Sequence, residues 1–289
     1  MAGVTAGARG PYSLAAALAL PLAALFGAAS LGNLVLPSAY ALEAPLWAAQ
    51  GIGQDWVDLL VAAPALAALA WLARRGSGRA ALLLGGALAY TAYSLVLYAF
   101  ALHFNPLFLA YALALGLSFY ALLALVLAVA RQDAGSWCAT RAPALAAGAF
   151  STFIGIAFAA LWLGEILPAL ATGATPRAIG EAGLITNPVQ VLDLGIVLPA
   201  FIVGGIALMR RRPLGCWLVP LMLAFGVFMD LALIGMDLSM AARGLPGGGQ
   251  RLPVFVVMAA ASLAMLWALL RRIEPRPASL PGTDRAPVS

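Results

Sequence analysis

The residues of this chain best suited to chemistry are two aspartates, each six positions before a proline inside an apolar run. Asp58 sits in Val57-Asp58-Leu59-Leu60-Val61-Ala62-Ala63-Pro64, and Asp193 in Leu192-Asp193-Leu194-Gly195-Ile196-Val197-Leu198-Pro199. Proline has no N–H to give the carbonyl four residues earlier, here that of Leu60 or Gly195. Each freed carbonyl lies about 3 Å beyond its aspartate along a helix axis. A carboxylate beside an unpaired carbonyl in apolar surroundings suits a hard cation, an ammonium group or a proton in transit. Two such half-sites facing each other would form one composite site. The plainer account places both aspartates in the first turns of their helices, complementing the dipole, with Asp55 and Asn187 as caps and the prolines as simple kinks.

Other polar side chains extend the candidate set. Asp230 and Asp237 are seven apart and share a helix face, beside a seven-spaced stripe of Met222, Met229 and Met236. The methionines read as packing rather than soft-metal ligands, because no cysteine or histidine lies among them. Glu165, Asn33, Asn105, Asn187 and Gln190 fall near the same end of their apolar runs as the two aspartates. His103 is the only histidine, so a multi-histidine metal site is excluded. It reads as an interfacial cap or as a proton partner for neighbouring acids. The ligand-binding set expected from sequence is therefore Asp58, Asp193, Asp230, Glu165, His103, Asn33 and Gln190, with the identity of any metal or cofactor unknown. Tyr90, Tyr93, Tyr98, Tyr111 and Tyr120 lie partly too deep for an interfacial belt, and their hydroxyls need partners within the bundle. Cys138 and Cys216 fall beside the arginine-rich loops, carry no metal or redox spacing, and read as reduced thiols on the cytoplasmic side.

The elements that must position these groups follow from composition. Hydrophobic residues make up 64% of the 289 residues, charged residues 9%, and mean hydropathy is +0.99. Soluble domains average about 45–50% apolar and about 25% charged, so this is an integral membrane protein. A spanning helix needs about 20 apolar residues. Eight segments meet that need: 13–37, 55–73, 80–103, 106–130, 142–169, 187–209, 214–238 and 253–270. With both termini cytoplasmic, thirteen of the sixteen arginines fall on the cytoplasmic side, leaving Arg177, Arg243 and Arg251 outside, as the positive-inside rule requires. The net charge of +5 does not point to nucleic acid, since no basic stripe or aromatic platform accompanies it. The start of the chain resembles a secretory signal ending at Ser38-Ala39-Tyr40-Ala41. The apolar run exceeds the 7–15 residues such a signal uses, and cleavage is not expected.

The chain also repeats. Leu31-Gly32-Asn33 with Pro37 matches Leu163-Gly164-Glu165 with Pro168, the Asp-to-Pro stretches match at an offset of 135, and Arg74-Arg75 matches Arg210-Arg211 at 136. Pro106-Leu107-Phe108-Leu109 matches Pro253-Val254-Phe255-Val256 at 147, the extra length falling in one Gly-rich loop between Ala241 and Leu252. The expected fold is an all-α polytopic membrane protein: eight transmembrane helices as two parallel four-helix repeats, 1–135 and 136–273, with N- and C-termini cytoplasmic and a disordered cytoplasmic tail at 274–289.

The function this implies is a small carrier or channel-like protein of a bacterial-type plasma membrane. It would offer an acidic, outward-facing site to a cation or cationic solute, with proton coupling as an option. Its partners would be the lipid bilayer and the small cationic solute or ion; nucleic acid is not among them, and a homo-oligomer is compatible with the chain. The alternatives are a partner-binding accessory subunit and a membrane-embedded enzyme acting on a lipid or isoprenoid. No Walker loop, paired-histidine metalloprotease motif or Gly-x-Ser-x-Gly elbow marks an enzyme. A carrier predicts a polar passage continuing from Asp193 toward the cytoplasm between helices 2 and 6, an enzyme predicts a lateral opening to lipid, and an accessory subunit predicts an apolar groove without a polar path and acids used only as caps.

Overall fold

Twenty apolar residues with no water to satisfy their backbone must become helix. The computed structural model describes residues 10–132 and 137–271; Arg9 and the tail expected to be disordered, 274–289, lie outside the described residues. Among those described there is no strand, and eight helices are long and apolar enough to cross a membrane: α1 Ser13–Val35, α2 Pro45–Arg74, α3 Gly78–Ala101, α4 Phe108–Ala130, α5 Arg141–Thr172, α6 Pro188–Met209, α7 Pro213–Ala242 and α8 Leu252–Leu270. A short helix, Arg177–Ala182, joins α5 to α6. Large apolar side chains such as Leu14, Phe100, Leu109, Phe153 and Val257 point outward, which suits a hydrocarbon surround.

The termini obey local rules. Pro45, Pro188 and Pro213 each open a helix, where a missing N–H costs nothing. The Ser77 hydroxyl caps α3 by accepting from Ala80 N at 3.2 Å, and Gly173 closes α5 in the left-handed region at φ 68°.

Two elements differ from expectation. α2 begins ten residues earlier than the apolar count allows, because its first turns carry Trp47, Gln50, Gln54 and Asp55 and are too polar to register as a span. Asp58 therefore lies deep within a continuous helix rather than in its first turns, and Asp55 caps nothing. The cysteines differ too: Cys138, just before α5, and Cys216, in the first turn of α7, form a disulfide with Cα atoms 4.9 Å apart. Packing brings them together across 78 residues, a proximity that spacing cannot reveal.

Both Asp-to-Pro stretches depart from α geometry in the same way. Each opens into one π-helical turn, Asp58–Ala62 in α2 and Asp193–Val197 in α6. The Ala63 N–H donates to Asp58 O, and the Leu198 N–H donates to Asp193 O, five residues back in each case. Pro64 and Pro199 remove one donor from the ladder, which slips by a residue just ahead of them.

Helices α1 to α4 pack in a ring, α1 against α2 and α4 and α3 against α2 and α4; α5 to α8 pack in the same ring, α5 against α6 and α8 and α7 against α6 and α8. α7 joins the two rings by lying along α2 and α3. Small residues permit the closest approaches. A Cβ on Gly53 of α2 would stand 2.3 Å from the Gly235 carbonyl oxygen of α7, and one on Gly155 of α5 would stand 2.5 Å from Ile202 Cγ1 of α6. The Ser151 hydroxyl donates to Phe201 O at 2.8 Å along the α5–α6 contact, where the Ser151-Gly155 spacing predicts close packing.

Candidate functional site

The polar residues separate into two regions. In the first, α1, α2, α3 and α4 converge on Asp55 and Asp58, both fully buried. Asn33 Nδ2 donates to Asp55 Oδ1 at 3.0 Å and Tyr40 OH donates to Asp55 Oδ2 at 2.5 Å. Tyr90 OH donates to Asp58 Oδ1 at 2.6 Å, and Gln54 Nε2 reaches Asp58 Oδ2 at 3.4 Å. Tyr98 OH stands between the two carboxylates, 2.9 Å from Asp55 Oδ1 and 3.0 Å from Asp58 Oδ2. Tyr111 OH donates to Asn33 Oδ1, which orients the amide nitrogen toward Asp55. Burial first, and then the negative charge of Asp55, push the Tyr40 phenol well above its ordinary range, so it remains a donor. Each carboxylate oxygen here already has a donor.

The second region is a partly open cavity of about 860 Å³ lined by α2, α3, α5, α6, α7, α8 and the short helix, within the size range of small-molecule sites. Asp193 faces it half-buried, its Oδ2 accepting from Trp162 Nε1 at 2.8 Å and its Oδ1 from Tyr93 OH at 3.1 Å. Asp230 lines it from α7 at 3% exposure, and among the described residues its Oδ2 has no hydrogen-bond partner. Asp237, two turns further along α7, pairs with Arg251 at 3.5 Å. Pro246, Gly247 and the short helix line one end, and Phe201 and Phe225, edge to face at 6.4 Å, lie at the other with Tyr93.

The structure does not bring Asp58 and Asp193 into one composite site. Asp58 belongs to the buried cluster and Asp193 to the cavity; Gln54 and Tyr98, which bond Asp58, also line the cavity, so the two regions share a wall. Asn33 joins the buried cluster. Asp230 shares the cavity with Asp193. Glu165 and Gln190 bond to each other, Gln190 Nε2 donating to Glu165 Oε2 at 2.9 Å, and neither lines the cavity. His103 also lies outside it, exposed, with its backbone N–H donating to Glu43 Oε1 at 2.7 Å and its ring Nδ1 at 3.1 Å from the same oxygen. Of the two expected caps only Asn187 serves, its Oδ1 accepting from Val189 N and Gln190 N. Of the methionine stripe, Met229 and Met236 line the cavity while Met222 is buried in the core.

Sequence reasoning missed the aromatic and amide partners Tyr40, Gln54 and Trp162, and also Trp47, which lines the cavity and donates to Ala101 O. Trp162 stands one turn before Glu165, a legible position, whereas Tyr40 lies in a loop with no pattern around it. Neither a protein-family model, nor a curated protein, nor a solved structure matches the chain.

Proposed function

We propose that the protein is a small membrane carrier whose solute site is this cavity, and that the solute is cationic. The observation that carries the reading is Asp230: a residue at 3% exposure in the lining of an 860 Å³ space, with one buried carboxylate oxygen that has no hydrogen-bond partner among the described residues. An unpaired buried acceptor is costly, and a ligand donor removes that cost. Four carboxylates line the cavity, Asp193, Asp230, Asp237 and Glu181, against the single guanidinium of Arg251. Asp237 is held by Arg251, and Glu181 bonds Arg177. Among the described residues no ion pair to Asp193 or Asp230 is present. Neither Asp193 nor Asp230 caps a helix start, which speaks against an accessory subunit with purely structural acids.

The carrier is built in this reading as two parallel four-helix halves, α1–α4 and α5–α8, with both termini cytoplasmic. Three features support it: the same packing ring in each set, the π-helical turns 135 residues apart, and a pair of matched hydrogen bonds. Asn33 bonds Asp55, and 132 and 135 residues later Glu165 bonds Gln190, with carboxylate and amide exchanged. Arg74 and Arg75, and Arg210 to Arg212, end α2 and α6 away from the loop-lined end of the cavity. By the positive-inside rule that end faces outward. The Phe201–Phe225 pair closes the inner end, so the cavity is a one-sided pocket rather than a continuous polar passage, the form an alternating-access carrier takes in one of its states.

Counterflow of a radiolabelled organic ammonium in proteoliposomes tests this. Saturable exchange that disappears in Asp193→Asn/Asp230→Asn supports a carrier; no exchange by folded wild-type protein rejects it.

A further inference from the structure

Resting on that reading, we propose that the solute is an amphipathic organic ammonium carrying at least one N–H, its nitrogen at Asp230 and its apolar body between the aromatic floor and the methionines of α7. The donor set argues against an inorganic ion. Hard divalent cations take about six to eight oxygens, yet among the described residues no group of three or more histidine, cysteine, aspartate or glutamate side chains could hold a metal. The cavity lining contributed by α6, α7 and α8 includes Phe201, Phe225, Met229 and Met258 together with Asp230 and Ser262. The Phe201 ring and Ser262 Oγ each lie 3.7 Å from where a Cβ on Gly226 would stand, one turn before Asp230. The aromatic floor therefore lies about one helical turn along α7 from Asp230.

That pairing recognises a particular chemistry. Aromatic faces attract an organic cation, and methionine adapts to an irregular apolar body. Asp230 Oδ2 needs a hydrogen-bond donor, which a protonated amine supplies and a quaternary ammonium does not. Asp193 has both oxygens occupied by Trp162 and Tyr93, so it adds charge across the cavity without needing to touch the solute. Asp237, toward the loop-lined end, also lacks hydrogen bonds on its oxygens, but its charge is met by Arg251 at 3.5 Å, whereas no ion pair to Asp230 is present among the described residues.

The test is ligand-dependent melting of the purified full chain, paired with quenching of tryptophan fluorescence, since Trp47 and Trp162 line the cavity. The probes are 2-phenylethylammonium, its trimethylated quaternary analogue, neutral 2-phenylethanol, and sodium, potassium and magnesium chlorides. The inference expects saturable stabilisation and quenching by 2-phenylethylammonium, weaker effects from the quaternary analogue, and none from the alcohol or the salts. Asp230→Asn should weaken the ammonium probe by about ten- to a hundredfold, the range of one charge-assisted hydrogen bond. Should that variant fold poorly, Asp193→Asn should weaken the ammonium and leave the alcohol unchanged. A saturable response to a salt with none to the organic probes would overturn the inference while leaving a cation site in place. Equal binding of alcohol and ammonium would overturn both the inference and the cationic reading. An ammonium probe with no effect on wild-type protein would overturn the inference outright.

Discussion

Asp58 and Asp193 share a sequence context and a π-helical turn, yet their surroundings are opposite. Asp58 is fully buried and bonded by Tyr90, Tyr98 and Gln54, with Asp55 beside it under Asn33 and Tyr40. Asp193 accepts from one tryptophan and one tyrosine and faces an open space. The difference comes from what stands nearby: tyrosines of the same ring close over Asp58, while α3 reaches Asp193 only through Tyr93. Where polar groups satisfy one another the cluster is structural; the acceptor left without a hydrogen-bond partner among the described residues is on Asp230, which lines the same space as Asp193.

The largest expected effect breaks the closed side. Asp58→Ala removes the acceptor of two buried hydroxyls and should lower stability by on the order of 3 kcal/mol, while Asp193→Ala, with a half-exposed site, should cost less than about 1 kcal/mol; thermal melting of both in one detergent checks the contrast. Gly53→Ala comes next, since its Cβ would fall 2.3 Å from a carbonyl oxygen across the α2–α7 contact. Forcing these backbones apart should cost about 1–3 kcal/mol. Gly164→Ala, with nothing within 4 Å, should leave melting unchanged. Tyr98→Phe should then destabilise by about 1–2 kcal/mol, with Tyr93→Phe below that, because only Tyr98 serves two carboxylates. The smallest change sharpens the comparison at the arginine end: Cys138 and Cys216 should resist alkylation until reductant is added, and free thiols in unreduced protein would refute the bond.

The eight helices were legible because a run of about 20 apolar residues has one structural outcome in a bilayer. The start of α2 was not, since Gln50, Gln54 and Asp55 are polar residues whose partners lie on other helices, and hydropathy has no view of those partners. Asp193 and Asp230 were legible as costly intramembrane acids. Their distinction from Asp58 was not, because it depends on which tyrosines close over which carboxylate. Tyr90, Tyr93 and Tyr98 stood out as hydroxyls needing partners; that they divide between the two aspartates is a property of how α3 sits between the rings. The Cys138–Cys216 bond left no trace in spacing at all.

The most direct test of the account measures Asp58→Asn and Asp230→Asn side by side, recording the melting temperature without ligand and the affinity for 2-phenylethylammonium by fluorescence quenching. The account predicts that Asp230→Asn melts like wild type and loses affinity, whereas Asp58→Asn melts lower and binds with wild-type affinity while folded. A fully stable Asp58→Asn that has lost binding, beside an Asp230→Asn that retains it, would contradict the account and return the solute to the buried cluster.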